Sequence, residues 1–135
     1  MVQTQDRAAT AAPVLIVGCG PVGATLALML AQRGVAVTVV DKAAKIYALP
    51  RAIAFDSDAL RILLGLGIGG DDYPNVPVPK VRLISPWFGM IGDARTDHAR
   101  DTHPAQSTFH QPALEEALRA RLRALPDRAE PDDRH

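Results

Sequence analysis

Apolar residues along the chain gather in short bursts separated by polar or glycine-rich intervals. Val14-Leu15-Ile16-Val17 is wholly apolar and bounded by Pro13 and Gly18, which predicts a strand buried on both faces. From Pro21 to Arg33 the period lengthens. Leu26, Met29, Leu30 and Arg33 recur at helical spacing as an apolar stripe ending in a charge, and Gly34 follows as a stop. Pro21 suits the first turn of that helix, where its missing N–H is no loss. Val35 to Val40 is a second β-branched run, closed by Asp41. Strand, helix and strand in this succession predict a βαβ unit with parallel strands.

Beyond Asp41 the pattern loosens. Tyr47 to Phe55 contains Pro50 and is expected to be extended or looped. Asp56, Ser57 and Asp58 offer cap oxygens to a helix through Leu60, Ile62, Leu63 and Leu64 that frays at Gly65 and Gly67. Gly69 to Pro79, rich in Gly and Pro, reads as a loop. Lys80 to Ser85 alternates as a half-exposed strand, with Trp87 to Arg95 as its antiparallel return. Within that return Gly92-Asp93-Ala94 reads as a turn, and Trp87 and Phe88 as core fillers. Thr96 to Ser107 is polar and irregular. Pro112 to Leu125 predicts the last helix, with Leu114, Leu118, Leu122 and Leu125 on one face and Glu115 four residues before Arg119. Residues 1–12 read as a flexible leader and 126–135 as a polar, disordered tail. One domain is expected from 13 to 125.

The chemistry concentrates in Gly18-Cys19-Gly20-Pro21-Val22-Gly23, a GxGxxG loop between the first strand and the first helix. Gly18 permits the tight turn. Gly20 lets a pyrophosphate approach the backbone, and Gly23 lets helix and strand pack closely. Phosphates would sit at the positive end of the helix, where N–H groups point outward. Asp41, eighteen residues after Gly23, stands where a carboxylate accepts hydrogen bonds from adenosine ribose hydroxyls and disfavours a 2′-phosphate. The loop alone serves FAD and NAD equally, since both present an ADP moiety.

Three further stretches carry a resemblance: Pro50-Arg51-Ala52-Ile53, Asp56-Ser57-Asp58-Ala59-Leu60-Arg61-Ile62-Leu63, and Phe109-His110-Gln111-Pro112-Ala113-Leu114-Glu115-Glu116-Ala117-Leu118. With Val14–Asp41, and in this order, the chain resembles the class A FAD-dependent aromatic hydroxylases, most nearly the phenol and 3-hydroxyphenylpropionate hydroxylase branch. The resemblance runs over residues 14–125 and reaches only the N-terminal portion of the family. It implies an α/β, Rossmann-like FAD/NAD(P)-binding fold of the glutathione-reductase type, incomplete in this chain.

It also implies FAD as cofactor, NAD(P)H as transient reductant and an aromatic small molecule as the substrate of the full-length family. Gly18, Gly20, Pro21, Val22, Gly23 and Asp41 would then hold the ADP part, with Lys42 alongside the adenosine. Arg51 would reach the pyrophosphate, and Gln111 would hydrogen-bond the cofactor near its ribityl chain. Without the resemblance, Arg51 still reads as a fixed cation placed to neutralise pyrophosphate, with a surface arginine as the lesser alternative, whereas Gln111 reads equally as a helix-capping residue. The family's later Asp-Gly and Gly-Asp motifs are not found, so the chain alone is not expected to hydroxylate. The rival readings are a small NAD-dependent oxidoreductase and a non-catalytic remnant that keeps only the nucleotide-binding fold.

Composition narrows the partners. Fifteen basic residues balance fifteen acidic ones, so no general attraction to nucleic acid or an anionic membrane is expected. The single cysteine, Cys19, excludes an internal disulfide framework and fits a reducing cytoplasm. His98, His103 and His110, with Asp97 and Asp101, have no ligand-like spacing and read as solvated loop residues.

Overall fold

A computed structural model describes residues 14–96 and 103–125. The leader, the tail and His98 with its two aspartates lie outside the described residues. The chain opens with β1 (Val14–Val17), α1 (Pro21–Gln32) and β2 (Val37–Val40). The two strands pair in parallel, Val14 opposite Val37 through Val17 opposite Val40, which is the expected βαβ unit. Its helix stops as predicted. Gly34 takes a positive φ of 80°, and the Gly34 and Val35 N–H groups return to the carbonyls of Ala31 and Leu30, both at 3.0 Å.

Three features of this unit differ from the sequence pattern. The second strand begins at Val37 and not Val35. Only Ile16 of β1 is buried, while Leu15 and Val17, which alternate to the opposite face of the strand, are 62% and 81% exposed. The buried face of α1 is Ala24, Ala27 and Leu28; Leu26, from the predicted stripe, is exposed. Small alanines let α1 approach its neighbour closely, and that approach outweighed the size of the leucine stripe.

The following elements are β3 (Ala54–Asp56), α2 (Ser57–Gly65), β4 (Asn75–Pro77), β5 (Lys80–Ser85), β6 (Gly89–Arg95), β7 (Gln106–Phe109) and α3 (Gln111–Arg123). Asp56 caps α2 as its position predicts, accepting the Ala59 N–H at 3.0 Å. β7 runs antiparallel between β3 and β4. Two of these strands lie where a loop was expected: β4 within Gly69–Pro79, and the start of β7 within Thr96–Ser107. Both are short, three and four residues, and they exist because each supplies the other with ladder partners.

The core closes where α1, α2 and α3 meet. Ala24, Leu28, Leu63, Leu66, Ile68, Tyr73, Leu114 and Leu118 form one cluster, and Leu118 is completely buried. Phe55 of β3 stacks on Phe109 of β7 at 4.4 Å and meets Tyr73 edge-on at 6.1 Å, joining the three-stranded sheet to this core. β5 and β6 form a separate hairpin with a bulge between Leu83 and Ile84. Gly92-Asp93-Ala94 lies inside β6 and is not a turn; Asp93 pairs with Lys80 across the ladder at 2.6 Å. Trp87 and Phe88 at the hairpin tip are 85% exposed. They fill no core, since nothing in the described chain packs over the tip.

Candidate functional site

At the junction of β1 and α1 each loop glycine does a different job. Gly18 has a φ of +105°, a conformation that strains any residue with a Cβ, and its N–H donates to the Val40 carbonyl at 2.7 Å. A Cβ on Gly23 would collide with the Gly18 carbonyl oxygen and lie 3.4 Å from Ile16 Cγ2. Gly23 is therefore required by the fold itself. A Cβ on Gly20 would meet nothing within 4 Å. The space before Gly20 is open to whatever the loop receives.

The helix start behind that space is bare. Gly20 is the N-cap residue, Pro21 opens α1, no side chain caps the first turn and no acidic residue lies in it. The first-turn N–H groups, which a helix cannot satisfy internally, face outward with the positive end of the helix dipole. Val22 is exposed on this surface.

Asp41 follows β2 and binds the loop directly. Its Oδ2 accepts the Cys19 N–H at 2.6 Å, and its Oδ1 accepts the Ala43 N–H at 2.8 Å. The Ala43 and Cys19 N–H groups, helped by the Arg119 and Lys42 charges, hold this carboxyl below its ordinary value of 3.8 against the opposing effect of desolvation. Each oxygen keeps a lone pair for a further donor. The sequence pointed to Asp41 but not to these backbone donors, which belong to residues with no polar side chain of consequence.

Gln111 and Arg51 come together although sixty residues apart. Gln111 Oε1 accepts the backbone N–H groups of Arg51 and Ala52 at 2.8 and 2.7 Å. Its Nε2 donates to Glu115 Oε1 at 2.8 Å, leaving one amide hydrogen for another acceptor. The Arg51 guanidinium lies over the Tyr47 ring, 4.8 Å from its centre. Arg119 lies between two carboxylates, 3.9 Å from Asp41 Oδ2 and 3.9 Å from Glu115 Oε2. Sequence reasoning noted Glu115 and Arg119 only as a helix pair; their place at the site was hidden. The available signal was the polar series 111, 115, 119 running along an otherwise leucine-rich helix.

Alongside lies an open groove of about 360 Å³ between the 44–48 segment and α3, with Lys45, Glu116, Arg119 and Arg123 in its lining. No glycine of the loop lines it, so the glycine cradle is an open surface next to a groove. Among the described residues no three His, Cys, Asp or Glu side chains gather as a metal set, and no described helix is long and apolar enough to cross a membrane.

A parallel βαβ unit, a glycine turn, an uncapped helix start and a strand-end acid define a Rossmann-type dinucleotide fold. The chain belongs to the family described as FAD binding domain, which matches residues 11–133 and so extends past residue 125. It aligns with the N-terminal portion of the class A aromatic hydroxylases. The 3-(3-hydroxy-phenyl)propionate/3-hydroxycinnamic acid hydroxylase of Mycobacterium sp. (strain JLS) is 32% identical over 127 residues, which is 93% of this chain and 22% of that protein. A probable NADH-specific resorcinol 4-hydroxylase of Rhodococcus jostii (strain RHA1) is 34% identical over 86% of this chain and 22% of its own length. Among solved structures, p-nitrophenol 4-monooxygenase PnpA from Pseudomonas putida DLL-E4 superposes with a TM-score of 0.70 at 27% identity, covering 84% of this chain and 30% of that one. The chain thus spans about a fifth of the length of the curated relatives it matches. FAD is the cofactor of this family.

Proposed function

We propose that this chain binds the ADP half of FAD and forms the nucleotide-holding part of an NAD(P)H-using aromatic-ring monooxygenase, without hydroxylating by itself. The observation that carries the reading is the bare N-terminus of α1 behind Gly20, where a Cβ would meet nothing, with Asp41 fixed beside it. In this reading the pyrophosphate lies over Gly18 and Gly20 and accepts the Val22 and Gly23 N–H groups, Pro21 having none to give. Asp41 accepts the ribose hydroxyls and Lys42 lies along the adenosine. Arg51 brings a cation to the pyrophosphate, and the free amide hydrogen of Gln111 reaches the cofactor farther along.

When bound, the flavin supplies the redox chemistry, passing reducing equivalents from NAD(P)H to oxygen. The part of this chain is to grip and orient the nucleotide end; an aromatic substrate belongs to the longer relatives. A cytoplasmic setting completes the reading, since a lone cysteine needs no oxidising compartment.

Titration of the purified full chain with FAD, followed by flavin fluorescence, tests this. Saturable binding displaced by ADP is expected, whereas a colourless protein that takes up no FAD overturns the reading. Gly20→Ala sharpens the test, because it should weaken FAD binding about tenfold or more while leaving the thermal midpoint nearly unchanged. Gly23→Ala should damage both, since its methyl group has no room.

A further inference from the structure

We propose that Glu115 is a positioning residue of the cradle, acting through Gln111 on the Arg51 segment and through Arg119 on Asp41. The proposal rests on the FAD reading for its ligand, but its geometry stands without one. Glu115 is a buried carboxylate, 6% exposed, on the helix face that also carries Leu114 and Leu118. Burying such a group is costly unless it is partnered, so its partners indicate what it is for.

One partner is the Gln111 amide, whose Nε2 donates to Glu115 Oε1 at 2.8 Å. An amide has a donor end and an acceptor end of nearly equal shape. Here the acceptor end must face two N–H groups, those of Arg51 and Ala52. A carboxylate, which only accepts, fixes the other end as the donor. Glu115 thereby sets the sense of the amide that holds the Arg51 segment.

The other partner is Arg119, whose guanidinium stands 3.9 Å from Glu115 Oε2 and 3.9 Å from Asp41 Oδ2. Its buried Nε has no hydrogen-bond partner among the described residues. Arg119 is therefore placed by the field of two carboxylates, and removing either one frees it toward the other. Residues 111, 115 and 119 are spaced by four and share one face of α3. A single rigid helix thus registers the ribose end of the cradle against the loop that carries Arg51.

The test is amide hydrogen exchange at Arg51 and Ala52, measured by NMR on the full chain without ligand. Glu115→Ala and Gln111→Ala should each accelerate exchange at both amides by about tenfold, and the double variant should add nothing further. A purely structural role for Glu115 would instead speed exchange along α3 and add to the effect of Gln111→Ala; that result overturns the proposal. Glu115→Gln keeps an acceptor for Gln111 but adds a donor, so it no longer fixes the sense of that amide, and it loses the charge facing Arg119. It should speed exchange at Arg51 and Ala52 less than Glu115→Ala does while weakening ADP binding severalfold, and unchanged ADP binding in this variant would equally overturn the proposal. If the wild-type chain binds neither FAD nor ADP, the functional reading fails, and the exchange measurements still decide the relay.

Discussion

Around Leu114 and Leu118 three helices close over a common core, whereas in the β5–β6 hairpin Leu83, Ile84, Met90 and Ile91 remain exposed on both sides of a well-formed ladder. Both regions have regular secondary structure and ample apolar side chains. They differ in whether a second layer reaches them. The glycine cradle belongs to the first kind, because Ala24 and Leu28 of α1 pack into the core cluster with α3 and so aim the helix start. The hairpin is held by its own hydrogen bonds and the Lys80–Asp93 pair; a two-stranded ribbon of this sort adds little to global stability. Site geometry should therefore follow core stability and ignore the hairpin.

The hardest blow to this distinction comes from Leu118→Ala. Deleting a fully buried leucine costs about 2–5 kcal/mol, read by urea denaturation, and FAD affinity should fall with it. An affinity that survives while stability drops would show that the cradle does not depend on the core.

A milder perturbation targets Asp41, whose folded carboxyl titrates below its ordinary value of 3.8. A depressed acid stabilises the folded chain above its unfolded value, and the benefit is lost as pH falls through the lower folded value. Wild type should therefore melt above Asp41→Asn at neutral pH, with the gap closing only once the pH drops below 3.8. A gap of constant width down to strong acid would contradict the hydrogen bonds drawn from Cys19 and Ala43.

The smallest effect is expected at the hairpin tip. Trp87→Ser should change unfolding free energy by no more than about 0.5 kcal/mol, as for other surface sites without partners. A larger loss would mean that the tip is covered, and the contrast between the two regions would collapse.

What the sequence disclosed follows the range of the interactions. The glycine turn, the Asp56 cap and the Gly34 stop are local, each decided within a few residues, and all are where the pattern put them. β7 was invisible because Gln106-Ser107-Thr108-Phe109 has no apolar alternation; it becomes a strand by pairing with segments some thirty and fifty residues earlier. Burial was misjudged for the same reason. Val17 is as apolar as any core residue, yet apolarity says what a side chain favours and not whether a neighbour arrives. At the site, Asp41 was legible from its distance to the loop. The Gln111–Glu115–Arg119 series was not, because its meaning lies in backbone donors at Arg51 and Ala52 and in a carboxylate far back along the chain.

The unequal surroundings of Gly20 and Gly23 have a consequence on the timescale of lineages. Selection on folding alone would purge substitutions at Gly23, where a methyl group collides with Gly18, but would be blind to Gly20, where it meets nothing. In a descendant released from the need to hold a nucleotide, Gly20 should drift first and Gly23 should persist. The two positions together would then date the loss of one constraint against the survival of the other.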